Sequence, residues 1–434
     1  MRTIDIKNIG PLKDTGRIPV SQVVLLIGEQ STGKSTFMKI LCFCCWLEKQ
    51  VMMNEKNIIY KYTHYYRFWN ELNKFHHFNE GFFSESSYIE YNGDAVHIEM
   101  HGKRRNVKIA LTPKFNELKH NMKLSFLPSE RNLLSSIQNV ESLYRSKDVD
   151  MLFNYILEWG EARSNFDVSH PLNLVFVDRM KYHYDVKNGD VLTLADGRSR
   201  IKPYYASSGV QSALPIQVLA TYLASVVGTS PKISPVEYLK HIMGSEKKID
   251  EKSLATIVQG LLQNGGSNIP QKLYDAFPTL ESVFKDMQNR SQYKSFHLFI
   301  EELEQNLFPK AQFELIKMLV GLVAKTNVMQ THYKSTIFLT THSPYVLTAL
   351  NVLMLASEAY RKNADAVEAL GLSPYVLPMD AYSAYRINDG CFESIMDEDY
   401  HFIKGEYLDS ISEDIDQYTY KLNEIVYGNV EGEA

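Results

Sequence analysis

The longest uninterrupted strand-like signal is VVLLI, Val23–Ile27, five apolar residues in a row. A short run of this kind reads as a strand buried on both faces of a parallel sheet. A Gly-rich polar turn ends it, and FMKILCFCCWLEKQVMM follows with a helical pattern. That stretch contains Lys39, Glu48 and Lys49, so it predicts a buried helix behind the turn rather than a membrane span. FHLFI (Phe296–Ile300) and STIFLTT (Ser335–Thr341) are two more apolar runs of the buried kind, with a helix predicted between them. Residues 88–111 instead alternate around Asn92-Gly93 and turn again near Gly102, which predicts an antiparallel meander. The opening TIDIKNIGPLKDTGRI predicts an edge strand and a hairpin, LNLVFV (Leu172–Val177) a strand, and VLTLADGRSRIKPYYASSG another hairpin. Helices are predicted over 37–75, near 153–166 and through the long polar stretch 228–292. After Tyr345 come more helix, a short hairpin in AYRINDGCFESI and an acidic C-terminal helix.

The pattern predicts an α/β fold with a mixed or parallel core sheet, an antiparallel β subdomain and helical insertions. The expected organisation is a head over 1–350, with a helical arm at about 50–80, the β-meander 88–111 and a helical insertion at about 228–292. An α+β tail over 351–434 is expected to pack on the head. The insertion is far longer than an ordinary connection and keeps helical spacing, so it reads as structure that could dock a partner, a second protomer or DNA.

Charge narrows the partners. A net charge of −5 and a pI near 6.2 exclude a globally basic nucleic-acid coat. DNA contact is possible only through a local patch, of which HGKRRNVK (101–108) is the most basic; a solvated β-turn is its plainer reading. MRTIDIKNIG has no secretory apolar core and no apolar stretch is long enough to span a bilayer, so a cytoplasmic protein without a membrane partner is expected. Cys42, Cys44 and Cys45 lack paired zinc spacing; with Cys391 they read as free buried thiols of a reducing compartment. KFHHF and DRMKYHYD likewise present no ligand constellation.

The turn after VVLLI carries the chemistry. Gly28, Gly33, Lys34 and Ser35 fit G-x-x-x-x-G-K-[ST], with Gln30, Ser31, Thr32 and Thr36 filling out the phosphate-binding loop. Backbone N–H groups at a helix N-terminus cradle phosphate, Lys34 reaches the β/γ oxygens, and the Ser35 hydroxyl holds Mg²⁺. Phe296–Ile300 ends in Glu301 and Glu302. An acid delivered by a strand to the edge of a parallel sheet suits a metal shell, here Glu301, and a second acid suits a general base, here Glu302. His342 ends the STIFLTT strand, where it could sense a γ-phosphate. Ser207, Ser208 and Gly209 open a helix whose N-terminus has no phosphate of its own, which makes sense if it serves a phosphate in trans.

In this order, G-x-x-x-x-G-K-S, SSGVQ, IEELE with a downstream Pro, and TTHSP resemble the ABC-type ATPase heads of the RecF/SMC/OLD-like group. Within it the chain looks most like stand-alone ATP-binding subunits of bacterial phage-defence systems. IKNIGPLKD and FLPSERN (126–132) add to the resemblance, which covers about residues 3–350. The resemblance implies ATP and Mg²⁺ as ligands, Glu301 as the Walker B acid, Glu302 as general base, His342 as switch histidine and Ser208–Gln211 as a signature segment. Val210 stands where transporter ATPases have a second glycine, Glu301 replaces Asp, and Leu303 replaces a frequent Pro. No Q-loop glutamine is evident, and Arg131 is offered to the site in its place.

Long heptads are missing, which speaks against a chromosome-organising ATPase. Asp397 and Asp399 lack the upstream glutamate strand of a Toprim nuclease. Two readings result. In one, two heads sandwich two ATP molecules, and this self-association gates a separately encoded effector such as a nuclease or toxin. In the other, a RecF-like repair ATPase acts on double-stranded DNA.

Overall fold

The computed structural model describes residues 2–53, 55–64, 67–78, 80–102, 106–137, 150–230, 292–330, 332–397, 402–406 and 420–422. Nearly all of the 228–292 insertion, Lys103, Arg104, Arg105, Asp399 and most of the acidic C-terminal stretch lie outside them.

The strands in chain order are β1 (Thr3–Ile9), β2 (Leu12–Asp14), β3 (Ile18–Pro19), β4 (Val23–Ile27), β5 (Phe83–Asn92), β6 (Val96–His101), β7 (Asn106–Leu111) and β8 (Asn121–Leu127). Then follow β9 (Leu172–Asn173), β10 (Lys181–Asp185), β11 (Gly189–Thr193), β12 (Arg200–Ile201), β13 (Tyr293–Ile300), β14 (Thr336–Thr340), β15 (Tyr382–Asn388) and β16 (Cys391–Ser394). One large sheet runs β7-β6-β5-β1-β2-β16-β15-β4-β14-β13-β8, with β3 paired to β1. Its β15-β4-β14-β13-β8 part is parallel. The β7-β6-β5-β1-β2 wing is antiparallel. The fold is α/β with a mixed sheet and an antiparallel subdomain.

VVLLI lacks polar positions because both faces of β4 are covered. Val23, Leu25 and Ile27 enter one core and Val24 and Leu26 the other. Helix Lys34–Met53 packs into the second core. Helices Ser208–Val226, Pro309–Met329 and Pro344–Lys362 pack into the first. The N-terminus of helix Lys34–Met53 and the ends of β13 and β14 therefore meet at one edge of the sheet.

Four local expectations change. β1 is interior, between β5 and β2, because the meander pairs with it. Of LNLVFV only Leu172–Asn173 is strand: Gln217 donates to Asn173 O at 2.8 Å and accepts from Val175 N–H at 3.0 Å, so a side chain replaces the next ladder bonds. The helical stretch 37–75 divides into Lys34–Met53, Glu55–His64 and Arg67–His76. Cys391 is exposed, whereas Cys42, Cys44 and Cys45 are buried. A second sheet, β12-β11-β10-β9, is also present. Among the described residues no helix is long and apolar enough to cross a membrane.

Candidate nucleotide site

β4 ends at Ile27 and the next helix begins at Lys34, so the loop between them is Gly28–Gly33. Gly28 has φ +152° and Gly33 φ +111°. A Cβ on Gly28 would lie 2.7 Å from Ile387 O of β15, and one on Gly33 2.5 Å from Leu12 Cδ2, so both positions demand glycine. The loop thus closes against β15, which pairs with β4. Thr32 Oγ1 donates to Glu29 O at 2.9 Å; Gln30 and Ser31 are exposed, Ser35 is exposed, and Thr36 is buried at the helix base. Lys34 Nζ donates to Gly28 O at 2.8 Å and Glu29 O at 2.6 Å. Burial lowers the pKa of Lys34, opposed by the carboxylates of Glu302, Glu304 and Glu29.

Glu301 is the first residue beyond β13 and is buried. Its Oε2 accepts from Ser129 N–H at 3.3 Å, and the Ser35 hydroxyl bonds to the same carboxyl group. Oε1 is buried with no hydrogen-bond partner. Burial raises the Glu301 pKa, with Lys39, Ser35 and Ser129 opposing. An orphaned anionic oxygen beside a loop hydroxyl fits a hard divalent cation. Ser35 and Glu301 are the residues that would hold Mg²⁺, which when bound supplies charge neutralisation for phosphate oxygens.

Glu302 adopts φ +46°, a left-handed conformation costing a non-glycine residue about 1–3 kcal/mol. Two backbone contacts hold it: its N–H donates to Thr340 Oγ1 at 2.9 Å, and its carbonyl accepts from Arg131. Its carboxylate acts electrostatically on both Lys34 and His342.

Arg131 is placed differently from the expectation that it faces the nucleotide. It is 0% exposed, and its guanidinium donates to Glu301 O at 2.6 Å, Glu302 O at 2.7 Å and Ser212 O at 3.1 Å. One side chain therefore clips the Glu301–Glu302 turn to the helix that starts at Ser208. Arg131→Ala would take a donor from three carbonyls and open a cavity. The expected loss is about 3 kcal/mol or more of unfolding free energy, read by urea denaturation. Unchanged stability would mean that the clip is dispensable.

Glu304 was not singled out as a site residue, although it stands in the quoted IEELE. Its carboxylate accepts from Thr341 Oγ1 at 2.7 Å and from His342 N–H at 2.6 Å, tying the turn after β13 to the exit of β14. The signal available was the E-x-E spacing, which does not say where the second acid points. His342 is half-buried, and burial and the Lys34 charge lower its pKa, so the neutral imidazole faces Lys34 and Glu302.

Lys34, Ser35, Glu301, Glu302 and His342 are thus brought together. The SSGVQ segment lies against the far side of the 301–306 turn, on a helix packed into the core opposite to that of helix Lys34–Met53. Ser207 is the N-cap but makes no side-chain cap bond, and Ser207 and Ser208 are exposed. The Gly209 Cα lacks room for a Cβ, which would lie 2.9 Å from Asn306 O; Asn306 also donates to Ser212 Oγ at 3.1 Å. Gln211 is spent within the chain, donating to Pro203 O at 3.2 Å and Tyr204 O at 3.0 Å and accepting from Ser136 at 3.0 Å.

No curated protein matches the sequence significantly. Among solved structures, an SMC head domain from Thermotoga maritima is 10% identical, covering 92% of this chain and 100% of that one, with a TM-score of 0.37. An Smc head domain bound to the C-terminal domain of ScpA derived from Pyrococcus furiosus is 9% identical, covering 96% and 100%, with a TM-score of 0.36. The recombination mediator protein RecF-ATPrS of the RecFOR pathway is 11% identical, covering 91% and 97%, with a TM-score of 0.29. Scores this low leave activity and partners to the site itself. Residues 277–347 match the AAA ATPase domain family, a segment that contains β13, the Glu301–Glu304 turn, β14 and His342.

Proposed function

We propose that this chain binds and hydrolyses ATP with Mg²⁺, in an active site that a second copy completes, and that the resulting dimer gates a separately encoded effector. The observation that carries this reading is the division of the site. The phosphate loop, the Glu301–Glu302 pair and His342 share one sheet edge, while an uncapped, exposed helix N-terminus at Ser207–Ser208 rides the opposite helix layer. Free N–H groups there suit a γ-phosphate held by the partner copy. Glu302 would accept the proton of an attacking water, Lys34 would hold the β/γ oxygens, and neutral His342 would report the γ-phosphate through its ring N–H. Because each γ-phosphate would bridge the two copies, the ATP state would set the assembly an effector meets. On this reading the effector is a nuclease or toxin acting in anti-phage defence, which the resemblance to phage-defence subunits supports.

The test mixes two inactive variants, Lys34→Ala and Ser208→Arg. If sites are shared, a mixed dimer keeps one whole site, built from the Ser208→Arg chain's loop and the Lys34→Ala chain's signature helix. Turnover should return to roughly a quarter of wild type under random pairing. Failure of any activity to return would overturn the shared site, as would a Ser208→Arg chain that is active by itself.

One observation favours the RecF-like alternative. Arg179, Lys181, Arg198, Arg200 and Lys202, on or beside the small sheet, are exposed and make no ion pair among the described residues. A duplex could lie there; ATPase stimulation by double-stranded DNA that falls steeply with salt would support that reading.

A further inference from the structure

A cavity of about 760 Å³ lies along β8, away from the phosphate loop. It touches Lys123, Leu124, Ser125 and Phe126, four consecutive strand residues. Successive strand side chains point to opposite faces, so a cavity meeting four in a row runs along the strand's edge and over neither face. β8 is the end strand of the sheet: it pairs with β13 on one side and, among the described residues, with no strand on the other. Helices wall the slot above and below. One wall comes from helices Lys34–Met53 and Arg67–His76, the other from helix Met151–Arg163.

The two walls differ in chemistry. The first carries aromatics among Lys49, Glu71 and Lys74, with Phe43 and Trp46 stacked at 5.7 Å and Phe75 beside them. At its base sits His76, 1% exposed, with neither ring nitrogen hydrogen-bonded. Buried polar groups without partners are uncommon and call for a ligand or a role. The second wall is acidic. Glu158 accepts from the Ser125 hydroxyl and from Asn154 Nδ2, at 2.9 Å for the latter, but forms no ion pair among the described residues, and burial pushes its pKa up to about 7 against the charge of Lys123. Glu161, by contrast, is paired with Lys123 at 2.7 Å. Lys49, its pKa pushed down to about 8 by burial, stands over the Tyr293 ring and makes no hydrogen bond among the described residues, so it is available to a main-chain carbonyl.

We propose that β8 is a docking edge, to which an extended segment of a partner protein adds as a further strand with apolar side chains against Phe43, Trp46 and Phe75 and alternate basic side chains against Glu158. Main-chain pairing gives such a contact its affinity, and the two-residue alternation of the strand matches the two walls. Lys123, whose charge also acts on Glu158, is already paired with Glu161, so a basic side chain gives Glu158 a counter-charge of its own. The site is independent of the nucleotide reading, since none of its residues belongs to the phosphate loop or the Glu301–Glu302 turn.

The test selects a phage-displayed random heptapeptide library on the full-length protein and on Leu157→Arg. Leu157 lines the slot and is 55% exposed, so the change adds charge and bulk at the mouth without opening the core. Enriched peptides should alternate apolar and basic residues. A synthesised representative should slow hydrogen exchange of the 121–127 amides about tenfold, and Leu157→Arg should weaken its binding about tenfold with ATP affinity unchanged. No enrichment, enrichment without alternation, or protection that spares 121–127 would each overturn the assignment.

Discussion

Lys34→Ala is expected to lower ATP affinity by about two orders of magnitude. Charge-assisted hydrogen bonds to phosphate contribute roughly 1.5–3 kcal/mol, about 10- to 150-fold in affinity. The surroundings add to the loss. Lys34 is the cation on which Glu302, Glu304 and Glu29 all act, and without it those carboxylates face the incoming triphosphate uncompensated. In the free protein the ammonium is held by Gly28 O and Glu29 O, both loop carbonyls, so the variant loses a loop brace as well as a ligand. pH supplies a second readout. Only the protonated amine holds phosphate, so wild-type affinity is full below the Lys34 pKa and falls as pH rises through it. Because burial lowers that pKa, the fall begins sooner than for an exposed lysine. The variant should show no such step. Calorimetric titration with ATP across alkaline pH measures both, and wild-type affinity in the variant would refute the loop assignment.

What the amino-acid pattern revealed was local period and local chemistry. VVLLI, FHLFI and STIFLTT announced strands covered on both faces, and β4, β13 and β14 lie side by side for that reason. Partners were less legible than elements. AYRINDGCFESI reads as a hairpin, yet nothing in its period says that β15 lies beside β4, hundreds of residues earlier, and walls the loop at Gly28. A strand's alternation records which face is buried and leaves open which edge is paired, so β1 also passed for an edge strand. Arg131 was hidden for a similar reason. The FLPSERN turn offered it to the nucleotide, and it is buried instead because three carbonyls from two distant segments converge on it. Glu304 belongs to the same class: its partners, Thr341 and His342, come from another strand's exit.

Glu302→Gln should bind ATP with near wild-type affinity while turnover falls by about 10²–10⁴, the range a general base contributes. The side chain keeps its length and can still hydrogen-bond a water but can no longer take its proton. The fold should not suffer, because the contacts that hold residue 302 at φ +46° use its backbone: N–H to Thr340 Oγ1 and carbonyl to Arg131. Removing one of the carboxylates that surround Lys34 leaves that lysine its other acidic neighbours, so the ATP-bound form should persist. If two copies close on two nucleotides, persistence of ATP means persistence of the dimer. Sedimentation should therefore show a dimer with ATP that wild type holds only briefly, and single-turnover phosphate release should be correspondingly slow. Normal turnover in Glu302→Gln would move the base elsewhere, with Glu304 the nearest carboxylate to His342 N–H. Slow turnover without a trapped dimer would leave the base in place and remove the second copy from the site. The two measurements thus separate the proton-transfer step from the assembly step.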